Sequence, residues 1–185
     1  MVDQLFEGLP EGKATVEGTS AANYSAQRIV LHAPESPTST LSVIGKLPPA
    51  SEGSYYQDRI IARLLSGGFE SGLSGAVRTE LRAAYGFSAG VEEISQEHRI
   101  LVMTGLVETE KLTQAEQSVS ETYAQFRANP SFKRLPAIKK QIKTDLKEDL
   151  KDTGSVAYDA MISKIFGMDS SRALTLLDEV DAITE

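Results

Sequence analysis

The spacing of apolar residues along the chain alternates between a two-residue period and a helical period. Runs rich in β-branched residues predict strands, and apolar residues that recur every three to four positions predict helices. The predicted strands cover residues 27–31, 41–47, 85–91 and 100–107, and the predicted helices cover 51–65, 71–81, 113–128, 133–152, 155–166 and 171–183. This order predicts an α+β two-layer sandwich, in which helices pack on one face of a mostly antiparallel sheet.

Several residues mark where these elements begin and end. Gly67 and Gly68 follow the first predicted helix, and glycine most easily adopts the left-handed conformation that ends a helix. Ser71 is predicted to cap the next, short helix, whose apolar stripe excludes Arg78. The T-x-x-E pattern that starts at Thr113 predicts a capping box at the start of a later helix, whose buried face is expected to be Val119, Tyr123 and Phe126.

The third and fourth predicted strands are expected to form a hairpin. Along residues 85–91 the alternation predicts that Tyr85 and Phe87 share one face, with small residues on the other. Residues 100–107 are almost continuously apolar, which is typical of a central strand. The polar residues 92–99 are expected to form the loop between them.

Composition and charge limit the possible function. A chain of 185 residues is long enough for one well-buried core, and residues 25–185 are predicted to form a single α+β domain after an N-terminal arm or linker at residues 1–24. The net charge of −7 argues against nucleic-acid binding. The lysines of residues 133–151 alternate with acidic residues, as on a solvated helix face. No stretch has the length and apolar character of a membrane span.

Zinc and nucleophilic sites are not predicted in this chain. It has no cysteine, which excludes thiolate ligands and cysteine nucleophiles. His32 begins an H-A-P-E sequence, but Ser36 stands where a second histidine would be needed and Pro34 would break the helix. His98 is expected to be a solvated residue of a loop. The sequence therefore predicts no metal site and no self-sufficient active site.

Arg78 and Tyr85 are the candidate functional residues. They lie seven positions apart across a predicted helix-to-strand junction. An arginine supplies a permanent cation with several donors, and a tyrosine hydroxyl can donate to an oxyanion, so the two together could grip a peptide backbone. The alternative interpretation is a solvated helix arginine and a half-buried strand tyrosine with its hydroxyl at the rim of the core.

The segment LLSGGFESGLSGAVRTELRAAYGFSAG resembles the signature of the pitrilysin, insulin-degrading enzyme and mitochondrial processing peptidase family of zinc metallopeptidases. The matching positions are Gly67, Gly68, Phe69, Ser71, Leu73, Arg78, Thr79 and Tyr85. The resemblance extends over nearly the whole chain, but Arg82 and Ala83 stand where Gly-Leu is usual before the strand.

The resemblance implies a family fold of homologous α+β domains that form two halves around a closed chamber. One half carries zinc on an H-x-x-E-H motif, and the other half supplies the arginine and tyrosine that hold the substrate. This chain is similar to the second, non-zinc type, so the resemblance implies that Arg78 and Tyr85 bind substrate and support the oxyanion. It also implies that the chain is part of a larger peptidase, is inactive alone, and has a zinc-bearing homologous domain or subunit and a peptide substrate as partners.

Two other functions stay open at this point. One is a non-catalytic scaffold or assembly subunit that keeps the peptidase fold. The other is a module that binds peptides at an exposed sheet edge without any partner chain. The resemblance suggests a bacterial periplasmic location, which no residue of the sequence establishes.

Overall fold

The computed structural model describes residues 24–31, 35–49, 52, 55–68, 71–95, 97–165 and 175–184. Residues 1–23 lie outside this part, so the predicted N-terminal arm stays a prediction. Within it the chain forms three strands and six α-helices, in the order β-α-α-β-β-α-α-α-α.

The three strands form one antiparallel sheet in the order β1-β3-β2. Strand β1 is Thr38–Leu47, β2 is Ala84–Glu93 and β3 is Arg99–Glu108. The continuously apolar strand β3 is central, and β2 and β3 are joined as the predicted hairpin. The predictions for three of the four strands are therefore confirmed.

The helices follow the predicted pattern with small shifts at their ends, and residues 171–174, where the last helix was predicted to begin, lie outside the described part. Their bounds are Tyr55–Ser66 (α1), Gly72–Ser74 (α2), Leu112–Ala128 (α3), Leu135–Asp149 (α4), Thr153–Ile165 (α5) and Leu176–Ala182 (α6). Helix α2 continues directly as the π-helix Gly75–Glu80, and a short 3-10 turn, Thr109–Lys111, precedes α3.

Helix α1 contributes to two hydrophobic clusters from two sides of its surface. Its residues Ala62 and Leu65 pack with the inward side chains of the sheet, α3 and the short α2 segment. Its residues Tyr56, Ile60 and Leu64 pack with α4 and α6. The α+β fold with helices on one face of the sheet is thus confirmed, and α4 and α6 add a second helical tier beyond α1.

The opposite face of the sheet stays accessible. Side chains of β1 alternate between exposed and half-buried positions, so one set points towards the helices and the other away from them. On this second face, Ile44 of β1 and Leu106 of β3 are large apolar residues that are both more than half exposed. This accessible face is called the open face below.

Arg99 is the one charged residue in the buried set of the described chain, with 1% of its surface exposed. Its guanidinium lies 2.9 Å from the Asp58 carboxylate of α1, and it donates to Glu93 of β2 at 3.3 Å and to the carbonyl oxygen of Pro48 at 3.2 Å. The sequence placed this residue in a solvated loop, which is wrong. It is the first residue of β3, and its side chain connects β3 to α1, to β2 and to the segment after β1.

The predicted strand at residues 27–31 does not form. Residues 24–31 have no regular secondary structure, and Leu31 is 91% exposed. Side chains hold the segment instead: Arg28 makes two hydrogen bonds to Glu116, at 3.1 and 3.2 Å. The apolar run is β-forming in composition, but its side chains find no buried face within the described residues to offset the loss of conformational entropy.

His98 lies in the β2–β3 loop, as predicted, but it has a side-chain partner there. His98 is half-buried, and its Nδ1 lies 2.9 Å from the hydroxyl oxygen of Tyr24. The backbone N–H groups of Ile94 and Ser95 both donate to the His98 carbonyl oxygen, which closes the turn of the β2–β3 hairpin.

The capping box predicted at Thr113 is absent. Because the 3-10 turn already begins at Thr109, α3 starts at Leu112 and Thr113 lies inside its first turn. Glu116 binds Arg28 instead of the helix start. The predicted buried face of the helix is confirmed, since Val119 is fully buried and the more distal aromatic residues pack at the margin of the core.

We expect Arg99→Met to lower the free energy of unfolding by about 3 kcal/mol, because it leaves the Asp58 and Glu93 carboxylates without their buried cation. Urea denaturation measures the change. Arg63→Met is the matched control, since Arg63 and Asp145 are half-exposed and 3.7 Å apart, and it should change stability by less than about 1 kcal/mol. Equal losses in the two variants would show that Arg99 does not organise the fold.

Candidate functional site

A tight turn of two glycines leads from α1 into the segment that carries Arg78. Gly67 has a φ of +72° and ends α1 as predicted, and a Cβ on it would overlap the Ser71 carbonyl oxygen. Gly72 has a φ of +63°, and a Cβ on it would lie 2.5 Å from the Leu65 carbonyl oxygen. Gly68 has more room, since its nearest neighbour would be 3.8 Å away. The close backbone crossing therefore requires Gly67 and Gly72.

The short helix after this turn is anchored by its apolar stripe. Ser71 occupies the predicted N-cap position, but its hydroxyl accepts a hydrogen bond from the Gly68 N–H and not from the helix. Leu73 and Val77 are fully buried, as the predicted stripe requires. Phe69, another position of the family signature, lies outside the described residues.

Arg78 lies in the π-helical part of this segment. The N–H of Leu81 donates to the Ala76 carbonyl oxygen five residues earlier, at 3.1 Å, which is the hydrogen bond of a π-helix. Such turns are rare and are often found at functional sites. The wide turn keeps Val77 in the core and places the half-buried Arg78 beside the start of β2.

The chain then reverses at Arg82, which has a φ of +50°. This left-handed conformation explains why glycine is usual here in the resembling family, since a Cβ makes it unfavourable. The turn is closed by a hydrogen bond from the Ala83 N–H to the Val77 carbonyl oxygen, at 3.0 Å. The Lys111 ammonium also donates to the Arg82 carbonyl oxygen, at 2.9 Å.

The reversal brings Arg78 and Tyr85 together. The Cζ atom of Arg78 lies 5.7 Å from the centroid of the Tyr85 ring, within the range of a cation–π contact. Tyr85 is 90% exposed, whereas Phe87 is 3% exposed. The prediction that these two aromatic residues share a face is therefore wrong, and so is the alternative of a half-buried tyrosine.

A shift in strand register causes this difference. Ala84 pairs with Val107, but Phe87 pairs with Gly105, so two residues of β2 lie opposite Leu106 alone. This is a β-bulge, which changes the direction of side chains within a strand. It allows Phe87 to stay in the core while Tyr85 lies on the open face.

The outer edge of β2 is partly covered. The Ser66 hydroxyl at the end of α1 accepts a hydrogen bond from the Ala89 N–H at 2.7 Å and donates to the Ala89 carbonyl oxygen at 3.1 Å. A peptide that added to this edge would have to displace Ser66 at the middle of the strand. This contact disfavours peptide addition at the β2 edge, whereas β1 is the other edge strand of the sheet.

The described part of the chain offers no group of three or more histidine, aspartate or glutamate side chains that could hold a metal ion. His32 lies outside that part, so the structure adds nothing to its assessment. None of the described helices has the length and apolar character needed to cross a membrane.

Sequence reasoning singled out Arg78 and Tyr85 as candidates but did not predict the structural roles of Gly72 and Ser66. Gly72 allows the backbone crossing before Arg78, and Ser66 binds the edge of β2, and both roles depend on contacts that carry no recognisable motif. The departure from the family pattern at Arg82 was the one available signal of the strained turn. It was visible only because the usual residue there is glycine.

Comparison with known proteins identifies the family and the fold. Residues 1–142 match the family described as the peptidase M16 inactive domain. No curated protein matches the chain. The solved inactive peptidase domain from Bordetella parapertussis is similar, with a TM-score of 0.67 and 18% identity over 80% of this chain and 80% of that chain.

Two further solved structures are similar. A conserved protein from Enterococcus faecalis V583 has a TM-score of 0.68 and 16% identity, over 98% of this chain and 43% of that chain. The periplasmic protease PqqL from Escherichia coli has a TM-score of 0.64 and 12% identity, over 81% of this chain and 17% of that chain. At these identities the likeness shows a shared fold. The chain spans less than half of these two proteins.

We expect Arg82→Gly to raise the free energy of unfolding by about 1 kcal/mol, because glycine removes the steric cost of the left-handed conformation, and its greater freedom in the unfolded chain offsets only part of the gain. Thermal or urea unfolding measures the change. Arg82→Ala is the control, since it removes the same charged side chain but keeps the Cβ, and it should give no such gain. Equal stability of the two variants would contradict backbone strain at Arg82.

Proposed function

Because the chain belongs to the inactive-domain branch of the peptidase M16 family of zinc metallopeptidases, we propose that it is the substrate-binding half of a zinc-dependent endopeptidase. In this proposal the zinc lies in a separate homologous domain or subunit, and the two halves enclose the peptide in a chamber. In this proposal the chain is inactive alone, because its sequence lacks the H-x-x-E-H motif expected of the zinc-bearing half.

The proximity of Arg78 to the exposed Tyr85 carries this proposal. The two residues come from different elements, and Tyr85 is exposed on the open face with the Arg78 guanidinium beside its ring. An arginine and a tyrosine that served only the core would be expected to bury the ring. The exposure of Tyr85 instead supports contact with a molecule outside this chain.

The chemistry of the pair suits a peptide backbone. The Arg78 guanidinium can donate to a peptide carbonyl oxygen, and its permanent charge favours the negative charge that develops there during hydrolysis. The Tyr85 hydroxyl can donate a second hydrogen bond to the same region of the substrate. Zinc, when bound by the other half, supplies Lewis-acid polarisation of the scissile carbonyl and an activated water.

The open face of the sheet supplies a surface for the rest of the substrate. Ile44 and Leu106 expose apolar area on the same face as Tyr85. This area can contact substrate side chains while Arg78 and Tyr85 hold the main chain. We therefore assign the open face to the wall of the chamber.

We expect Tyr85→Phe and Arg78→Ala each to lower kcat/KM of the complete two-half enzyme by about 100-fold, the effect of removing one donor to a developing oxyanion. Arg78→Lys should recover part of the loss, since it keeps the charge without the planar fork of donors. Peptide hydrolysis with the zinc-bearing half present measures the effect.

The matched controls come from a second arginine–tyrosine contact. Arg127 lies 5.9 Å from the ring centroid of Tyr123 on α3, away from the open face. Arg127→Ala and Tyr123→Phe should leave kcat/KM nearly unchanged. If the Arg78 and Tyr85 variants keep full activity too, the proposal fails and the chain is better explained as a non-catalytic scaffold with the peptidase fold.

We also expect the isolated chain to show no peptide hydrolysis with added zinc. Addition of the zinc-bearing half should produce activity that depends on the concentration of this chain. Hydrolysis by the isolated chain with one zinc ion per molecule would show that the division of roles is wrong.

A further inference from the structure

The bulge at the start of β2 allows two residues with incompatible spacing to face the helices together. Ala84 and Phe87 both face the helices, but three positions separate them, an odd number that would place them on opposite faces of a regular strand. Continuing the Phe87 register backwards without the bulge would put Tyr85 opposite Val107, on the helix-covered face. The extra residue is therefore what places Tyr85 on the open face.

Gly105 of β3 lies under this bulge. A Cβ at Gly105 would overlap the Gly86 carbonyl oxygen, and it would lie 2.5 Å from Cδ2 and 3.1 Å from Cα of Phe87. Two of these three atoms belong to the backbone, which cannot move aside as the end of a flexible side chain can. The bulge and a side chain at position 105 are thus incompatible.

Other glycines of the sheet do not share this constraint. Gly45 of β1 also lies on the helix-facing side, but a Cβ there would meet no atom within 4 Å. The same is true of Gly86 and Gly90 in β2. Gly105 is therefore distinguished by the close approach of the bulge and not by a general preference for small residues.

We propose that Gly105 is a positioning residue for the substrate-binding pair, because its missing side chain leaves room for the bulge that turns Tyr85 towards Arg78. The effect of Gly105 on catalysis rests on the proposed function. The effect of Gly105 on the direction of the side chain at position 85 is independent of that function and can be measured without any substrate.

The chain contains no tryptophan, so Tyr85→Trp introduces a single fluorescent reporter at the site. In this background, acrylamide should quench the introduced indole as it quenches a fully exposed one. Adding Gly105→Ala should reduce the quenching and shift the emission to shorter wavelength, because residue 85 turns towards the core. Adding Gly45→Ala instead should leave both signals unchanged. Unchanged quenching in the Gly105→Ala variant would overturn the proposal.

Deletion of Gly86 tests whether the bulge is the cause. Without the extra residue, regular pairing places Ala84 and Phe87 inward and residue 85 on the open face, with no bulge above position 105. The deletion in the Gly105→Ala background should therefore restore the quenching of the introduced indole. If Gly105→Ala alone fails to fold, recovery of a folded chain with an exposed indole on deletion supports the proposal, and continued loss of folding overturns it.

The activity measurement separates this inference from the proposed function. In the complete enzyme with the native Tyr85, Gly105→Ala should lower kcat/KM by about as much as Tyr85→Phe, about 100-fold, and the two changes together should cost no more than either alone. If Gly105→Ala moves the fluorescence signals while Tyr85→Phe leaves kcat/KM unchanged, the proposed function fails and the positioning role holds. Fully additive losses would overturn the positioning role.

Discussion

The buried cation of Arg99 is the interaction on which the arrangement of the sheet and its first helix depends. It contacts a carboxylate of α1, a carboxylate of β2 and a carbonyl oxygen after β1, while its own backbone begins β3. Removing the Asp58 and Glu93 carboxylates from water without a nearby cation would cost much free energy. Arg99 supplies that cation for both. The network therefore fixes where α1 lies relative to the β2–β3 hairpin, and with it the distance that the connecting segment must span.

That connecting segment contains an unusual concentration of irregular backbone. Within residues 67–87 the chain uses a glycine crossing, the π-helix Gly75–Glu80, a left-handed Arg82 and a β-bulge. Each of these features changes the direction of the chain or of a side chain within a short stretch. The helices and strands that pack around this segment have regular backbone, so the irregularities are not a general property of the fold. Glu35, with a φ of +66°, lies outside this segment, but the concentration of irregular backbone at residues 67–87 supports a functional explanation.

The sequence was most predictive where burial alone decides the structure. Residues 100–107 formed the central strand, and Val119 lies on the buried face predicted for α3, because both follow directly from apolar periodicity. It was least predictive where a local pattern depends on a distant partner. Tyr85 was assigned to the wrong face because a bulge is set by the opposite strand, and residues 27–31 were predicted as a strand without knowing whether another strand would pair with them. Arg99 looked like a loop residue because two of its three partners, Asp58 and Pro48, are far away in sequence.

The energetics of the Arg78–Tyr85 contact show that this contact alone does not explain the strained segment. A cation–π contact at an exposed site contributes about 0.5–1 kcal/mol. The left-handed conformation of Arg82 alone costs about 1–3 kcal/mol, before any cost of the bulge is counted. The free energy of the cation–π contact is therefore smaller than the cost of the Arg82 conformation. A chain selected for stability alone would bury Tyr85 or replace Arg82 by glycine. Packing of the buried Leu73 and Val77 holds the turn despite this cost, and the substrate-binding role proposed for Arg78 and Tyr85 accounts for an exposed tyrosine at this position.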